Sequence, residues 1–298
     1  MSNEHVDNAL TIDDLPDDLR RPILLLAFFG WNDAAEAASD AIKFLRNLDP
    51  SAPVASLDPD DFFVFTEHRP TVKWIDGDNA RREVVWPATE FTILRRPQAE
   101  HDLVLGLGTE PDLRWQRYCR AVLQIAEMAG VEEVVTLGAL LADVAHTRPT
   151  SVSGGSSNPE RHKQFGFEGS RYEGPTGVVG SIGDACRIAE VPHMGFWASV
   201  PHYVTSRHNP GATKALLTEI DRVFDLQLDL QKLDGAQERY RAQIDSALEE
   251  KPDIRDYVRN LEAQADEEMK QESQSETPLD SDDIMEAVNR LLRGDESN

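Results

Sequence analysis

Cysteine is nearly missing from this chain: 298 residues hold two, Cys119 and Cys186, both inside stretches of helical periodicity. A disulfide framework is thereby excluded, and a reduced cytoplasmic interior is expected. Long apolar runs are missing too. The longest near the start, residues 23–29, is far short of the ~20 residues a spanning helix needs. Residues 1–21 are acidic and polar, unlike the basic start of a signal peptide, so no membrane association is expected. Positive charge is scarce, with 30 Lys and Arg against 54 Asp and Glu and a net charge of −24. Pairs such as Arg81-Arg82 and Arg95-Arg96 stand isolated, so no basic patch offers itself to nucleic acid. The chain has no Walker lysine motif and no Gly-x-Ser-x-Gly turn. His193, His202 and His208 lie close together but lack paired spacing and an acidic or cysteine companion in sequence. No cofactor, metal or catalytic set is therefore expected.

What is present centres on residues 102–149. Leu103-Val104-Leu105 reads as a strand closing on Gly106-Leu107-Gly108, and Thr109 is placed to cap a helix that has Pro111 near its start. Trp115, Tyr118, Val122, Ile125 and Ala129 recur at helical spacing over about five turns, and Gly130 is the stop. A buried strand through Val134-Val135-Thr136-Leu137 follows, ending in a polar exit. This is a crossover unit of a parallel sheet, which would bring residues 106–110 and 138–148 to one sheet edge, where open α/β folds place their sites. A second unit runs from the strand at 23–29 through Gly30-Trp31-Asn32-Asp33, where Asp33 and Glu36 form a capping pattern, into a helix at 34–45 and a strand at 54–57. Residues 71–75 and 83–86 alternate in polarity about a turn-rich centre and read as a hairpin with one solvated face, on which Trp74 and Trp86 are packing residues. Residues 151–174 read as a long polar loop. A helix at 178–189, a core strand at 194–200 and a helix capped by Asn209-Pro210 follow, then two helices with buried faces at Tyr240, Ile244, Ala247 and Leu248 and at Ile254, Tyr257, Val258 and Leu261.

Several residues converge on the strand ends as a candidate pocket. Gly106-Leu107-Gly108 resembles the start of a dinucleotide fingerprint, but Glu110-Pro111 stands where a pyrophosphate would approach. Asp143, His146 and Arg148 follow a buried strand; His146 would be a base oriented by Asp143, with Arg148 holding an anion, or all three satisfy backbone groups at a strand exit. Tyr172, Gly174 and Thr176 open a helix whose free backbone donors suit an anion, and tight chain packing explains the glycines as well. With Trp31, Asn32, Asp33, Gly108, Glu110 and His202, these complete the pocket.

With these residues laid out, the chain resembles the proteasome assembly chaperone 2 family in its actinobacterial branch. The matching stretches are Phe29-Gly30-Trp31-Asn32-Asp33-Ala34, Leu107-Gly108-Thr109-Glu110-Pro111-Asp112, the run from Thr136 to Val144 continuing to Pro149, Tyr172-Glu173-Gly174-Pro175-Thr176-Gly177, and Trp197-Ala198-Ser199-Val200-Pro201-His202-Tyr203. The resemblance implies a three-layer α/β/α sandwich similar to the purine nucleoside phosphorylase architecture, with a helical C-terminal extension. It also implies action by binding, since eukaryotic relatives are chaperones for the proteasome α-ring. Chaperones of this kind often dock through a C-terminal hydrophobic-Tyr-any tripeptide; Glu296-Ser297-Asn298 departs from it, so docking by that route is not expected.

The expected organisation is a loose N-terminal arm (1–20), an α/β/α domain (21–226), a helical extension (227–266), and an acidic linker with a short amphipathic helix (267–298). From Asp245 onward the chain carries 17 acidic and 6 basic residues, which marks a solvated segment and an interaction tail. Residues 267–280 are too polar to stay ordered by burial, and Ile284, Val288, Leu291 and Leu292 then share a helical face. The leading functional reading is a non-enzymatic interaction or assembly protein that self-associates as a homo-oligomer, with a trimer favoured. The alternatives are a phosphorylase- or hydrolase-like enzyme, or a small-molecule sensor, using the strand-end pocket.

Overall fold

The computed structural model describes residues 9–75, 81–167 and 172–275. In chain order they form β1 (Leu10–Ile12), β2 (Ile23–Phe29), α1 (Ala37–Arg46), β3 (Ala55–Leu57), β4 (Thr71–Ile75), β5 (Arg81–Val85), β6 (Thr89–Leu94) and β7 (Leu103–Thr109). Then come α2 (Trp115–Met128), β8 (Glu133–Ala142), β9 (Val152–Ser156), α3 (Pro159–Gln164), α4 (Val178–Ile188), β10 (His193–Pro201), α5 (Pro210–Phe224), α6 (Asp234–Leu248) and α7 (Pro252–Ser275). Eight strands make one sheet in the order β1-β3-β6-β7-β2-β8-β10-β9. Its centre, β7-β2-β8-β10, is parallel, and antiparallel strands finish both sides.

The parallel strands are rich in apolar residues because both faces are covered, and β2 is apolar throughout. Along β2, Ile23, Leu25 and Ala27 pack beneath α1 and α5, while Leu24, Leu26 and Phe28 pack beneath α2 and α4. Helices on both faces of one sheet give the three layers expected from the sequence. Tyr240, Ile244 and Leu248 of α6 and Val258 of α7 make a separate small cluster with Tyr203, Val204 and Ile254. Ala247, expected on that face, is exposed.

Five expectations need correction. The N-terminal arm is not loose over its described part: Leu10 pairs with Leu57, Ala9 is buried, and Arg20 holds the buried Asp102 carboxylate at 2.7 Å. Three apolar residues among acids suffice for an edge strand when the acids face water. Thr109 is the last residue of β7 and caps nothing; α2 starts after Arg114, whose left-handed backbone turns the chain (φ 55°), and runs four turns. Residues 152–156 and 159–164 form β9 and α3 where a loop was expected, since Gly154 leaves room for the Phe167 ring above β9. The acidic stretch from Glu267 to Ser275 continues α7, because Glu, Gln, Met and Lys extend a helix once its first turns are docked. The hairpin β4–β5 forms in the register Val72↔Val84, but its described side chains are exposed on both faces. Trp74 is 69% exposed and Trp86 stacks edge-on against Phe65 at 4.7 Å. The amphipathic helix expected at 281–293 lies outside the described residues. Among the described residues, no helix is long and apolar enough to cross a membrane.

Candidate functional site

The strand ends split into two clusters. The first forms where β2, β7 and α4 meet. After β2 the chain turns at Gly30 (φ 130°) and buries Asn32 and Asp33. Asn32 and Asp33 tie this turn to β8, through Asn32 O accepting from Ala139 N–H at 2.8 Å and a bridge between Asp33 and Ala139. Asp33 Oδ1 accepts from Ala38 N–H at 2.8 Å and from Ser39 N–H at 3.3 Å, so it caps α1 from across a turn. That turn places Ala35 and Glu36 in left-handed conformations (φ 52° and 48°), which residues with a Cβ adopt at a cost of about 1–2 kcal/mol each. Burial pushes the Asp33 carboxyl above the ordinary range, and the bonds from Ser39 and Ala38 pull it part of the way back.

Glu110, just past β7, spends one carboxylate oxygen on two partners. Its Oε1 accepts from Asn32 Nδ2 at 2.6 Å and from Val178 N–H at 2.8 Å. The N-terminus of α4, where a bound anion was one expectation, thus already holds a carboxylate of the chain itself. The glycines serve packing. A Cβ on Gly108 would fall 2.8 Å from the Thr89 Cα on β6, and one on Gly177 would strike the Asn32 amide. Gly106 and Gly108 lie inside β7 and not in a loop that could wrap a pyrophosphate, so the likeness to a dinucleotide fingerprint stops at the glycines. Gly174 lets Tyr172 fold back, its hydroxyl donating to Pro175 O at 3.0 Å. Trp31, Tyr172 and Thr176 face solvent.

The second cluster joins Asp143, His146, Arg148 and His202 to α6 and α7. His146 is buried, and Asp143 does not orient it. The Tyr203 hydroxyl accepts from His146 N–H at 2.9 Å and lies 2.8 Å from Nδ1, while Nε2 is 3.1 Å from Asp245 Oδ1. The ring is thus held between the Tyr203 hydroxyl on one side and the Asp245 carboxylate on the other. Arg148 grips both Asp266 oxygens, at 2.7 and 2.9 Å. Asp143 accepts from the Tyr257 hydroxyl at 2.9 Å and pairs with His202 at 3.1 Å. The anion expected at Arg148 is therefore a carboxylate of α7. The cavity left beside His146, Arg148, Pro201 and Tyr240 has a volume of about 20 Å³, room for a single water.

Sequence reasoning missed Tyr203, Asp245 and Asp266 as partners of this cluster, along with Glu262, which lies 3.6 Å from Arg148, and read Tyr257 only as part of an apolar face. A third group, unforeseen, brings Glu36, Asp40 and His208 within ligating distance of one another. Lys43 already sits 3.1 Å from Glu36 and 2.8 Å from Asp40, and Arg207 also binds Glu36, so its charge is met by side chains.

The PAC2 family model matches residues 27–248. Among solved structures, a PAC2 family protein from Streptomyces avermitilis is 40% identical with a TM-score of 0.74, over 80% of this chain and 99% of that one. A proteasome-assembly chaperone homologue from Mycobacterium tuberculosis is 38% identical with a TM-score of 0.72, over 79% of this chain and 99% of that one. PbaB, an archaeal proteasome activator from Pyrococcus furiosus, is 15% identical with a TM-score of 0.63 over 80% of this chain and 97% of its own, and shares the fold. No curated protein matches the chain.

Proposed function

Because the chain belongs to the PAC2 family, we propose that it works by binding other proteins, as an assembly factor, and not by turning over a small molecule. The family and the mycobacterial homologue support a chaperone-like assembly role. The observation that carries the reading is the state of the strand ends. Where open α/β folds leave a crevice for a ligand, Glu110 fills one helix N-terminus and Asp266 fills the Arg148 guanidinium. A histidine whose two ring nitrogens face Tyr203 and Asp245, with no serine, threonine or cysteine bonded to its ring among the described residues, orients structure and has nothing to activate. The twelve strand-end residues are, on this reading, a framework that fixes α4 and the C-terminal helices, with Trp31, Tyr172 and His202 left on the surface for contact.

The active form is a closed homo-oligomer built through the α/β domain, and a trimer is favoured. Exposed large side chains such as Trp31, Trp74 and Leu141 support this, since aromatic residues are enriched at interface centres. Light scattering should give a mass about three times that of one 33.3 kDa chain, and a monomer at micromolar concentration refutes self-association. The assembly role is tested by mixing the protein with proteasome α and β subunits of the same genome and following ring formation on native gels. Faster or more complete rings are expected; unchanged rates refute the role. Nucleosides with phosphate, ATP or esters should give no turnover. Turnover lost in a folded His146→Ala variant would reinstate the enzyme.

A further inference from the structure

Helix α6 packs beside α5, and the cavity of about 20 Å³ near His146 lies between them and the segment that leaves β8. Its walls are rich in hydrogen-bond donors. Gly211 stands in the first turn of α5, where N–H groups have no carbonyl within the helix to bond. Asn209, 3% exposed, caps that turn with Oδ1, which accepts from Ala212 N–H at 3.1 Å, while its Nδ2 has no bonded partner among the described residues. From α6 come Gln237, Tyr240 and Arg241. Tyr240 is 7% exposed, and its hydroxyl is buried without a hydrogen-bond partner. Burial pushes this phenol up to about 12, so the oxygen keeps its proton and can donate it. Buried hydroxyls of native proteins nearly always have a partner, because leaving one unmet destabilises the fold.

Charge says what that partner is. Arg148 also lines the cavity, but its guanidinium is taken by Asp266 at 2.7 and 2.9 Å, with Glu262 at 3.6 Å. Asp245 faces His146 Nε2 at 3.1 Å. Arg241 is half-buried and, among the described residues, makes no ion pair or hydrogen bond, in a chain with 54 acidic side chains. A guanidinium that never loses its charge, a helix N-terminus and uncharged donors surround a space the size of one water. That set suits a monatomic anion better than a water, since a water must also donate its own protons.

We propose that this cavity is a halide site, where a chloride ion bonded by Arg241, Gly211 N–H, Asn209 Nδ2 and the Tyr240 hydroxyl joins α6 to the start of α5. The ion clamps the C-terminal helices to the α/β domain, a role independent of the protein contacts put forward above. A large organic anion such as gluconate does not enter a space of this size. Chloride and gluconate compared at equal ionic strength therefore separate the site from the general screening of this chain's negative charge.

The test follows thermal unfolding of the full chain while chloride replaces gluconate at fixed ionic strength. Above the dissociation constant, each tenfold rise in chloride should raise Tm by about 2–4 °C, and bromide should act likewise. Tyr240→Phe gives the sharper reading, because the sign of its effect depends on the ion. A hydroxyl that donates to a halide lowers Tm in chloride when it is removed and weakens the chloride dependence; a hydroxyl with no partner raises Tm in both salts when it is removed. Arg241→Gln, at a half-buried position, should fold and lose the chloride dependence. Crystals grown in bromide should show an anomalous peak beside the Arg241 guanidinium. Equal melting in chloride and gluconate, or a Tyr240→Phe protein more stable in chloride than the parent, overturns the site. A bromide peak without a chloride-dependent Tm marks an adventitious ion only and overturns the clamp.

Discussion

Replacing Glu110 by alanine removes the acceptor shared by Asn32 Nδ2 and Val178 N–H. A hydrogen bond to a charged group contributes about 1.5–3 kcal/mol, and a buried donor left without a partner costs about 1–3 kcal/mol. The two bonds end on the same oxygen and the carboxylate is half-buried, so the losses overlap and water recovers part of them. A favourable charge at the α4 N-terminus, typically ~0.3–1 kcal/mol, is lost as well. The net destabilisation should be about 2–4 kcal/mol, which for a domain of this size lowers Tm by roughly 5–12 °C. Glu110→Gln keeps an oxygen in place while removing the charge, and should lose about half as much. Thermal unfolding followed by circular dichroism measures both. A Glu110→Ala protein melting within about 2 °C of the parent would refute the claim that this carboxylate fastens α4 to β2.

His193 provides a pH test. Burial lowers its pKa to about 4, against ~6.5 in an unfolded chain. A folded-state value below the unfolded one contributes stability above pH ~6.5 that is lost as pH falls to about 4, with a span of about 3 kcal/mol, and denaturant midpoints for His193→Gln should show a shallower slope across that window. Gly108→Ala forces a Cβ to within 2.8 Å of the Thr89 backbone, so a loss of about 2–3 kcal/mol in urea unfolding is expected; a neutral result would mean that β6 yields freely. Arg148→Met should release α7 from the strand ends, read as faster proteolysis between α6 and α7 with the rest of the domain intact; unchanged cleavage would show that the apolar cluster alone holds α7.

The layers of this fold were legible because β2, β7, β8 and β10 are dominated by apolar residues and the helices between them keep an apolar face. The three residues of β1 and the glycines of β9 carry too little pattern to read, and both exist because a neighbouring strand offers an edge. Site residues were legible as polar positions at strand exits, but not by what they touch. Glu110 meets Val178 across 68 positions and His146 meets Asp245 across 99, and nothing in local spacing encodes such pairings. Reading Asp143 as the partner of His146 followed sequence proximity; the side chains part company because Tyr257 of α7 holds Asp143 while Tyr203, together with Asp245 of α6, holds His146. Trp74 misled for a related reason, since alternation predicts a strand but not whether its own domain covers it.

The short strands at the two margins of the sheet have a consequence for the folding chain. β1 covers β3 with three residues, and β9 covers β10 with five, two of them glycine. Both covers are antiparallel, and β1 must wait for β3, made some forty residues later, before it can pair. Until β1 has paired, that edge of β3 is an open template for another molecule's strand. A chain shortened to begin at residue 14 should keep the apolar centre of its three layers and lose its stopper. Its defect would show as turbidity during refolding, rising with the square of protein concentration or faster, while the fraction that folds melts close to the parent.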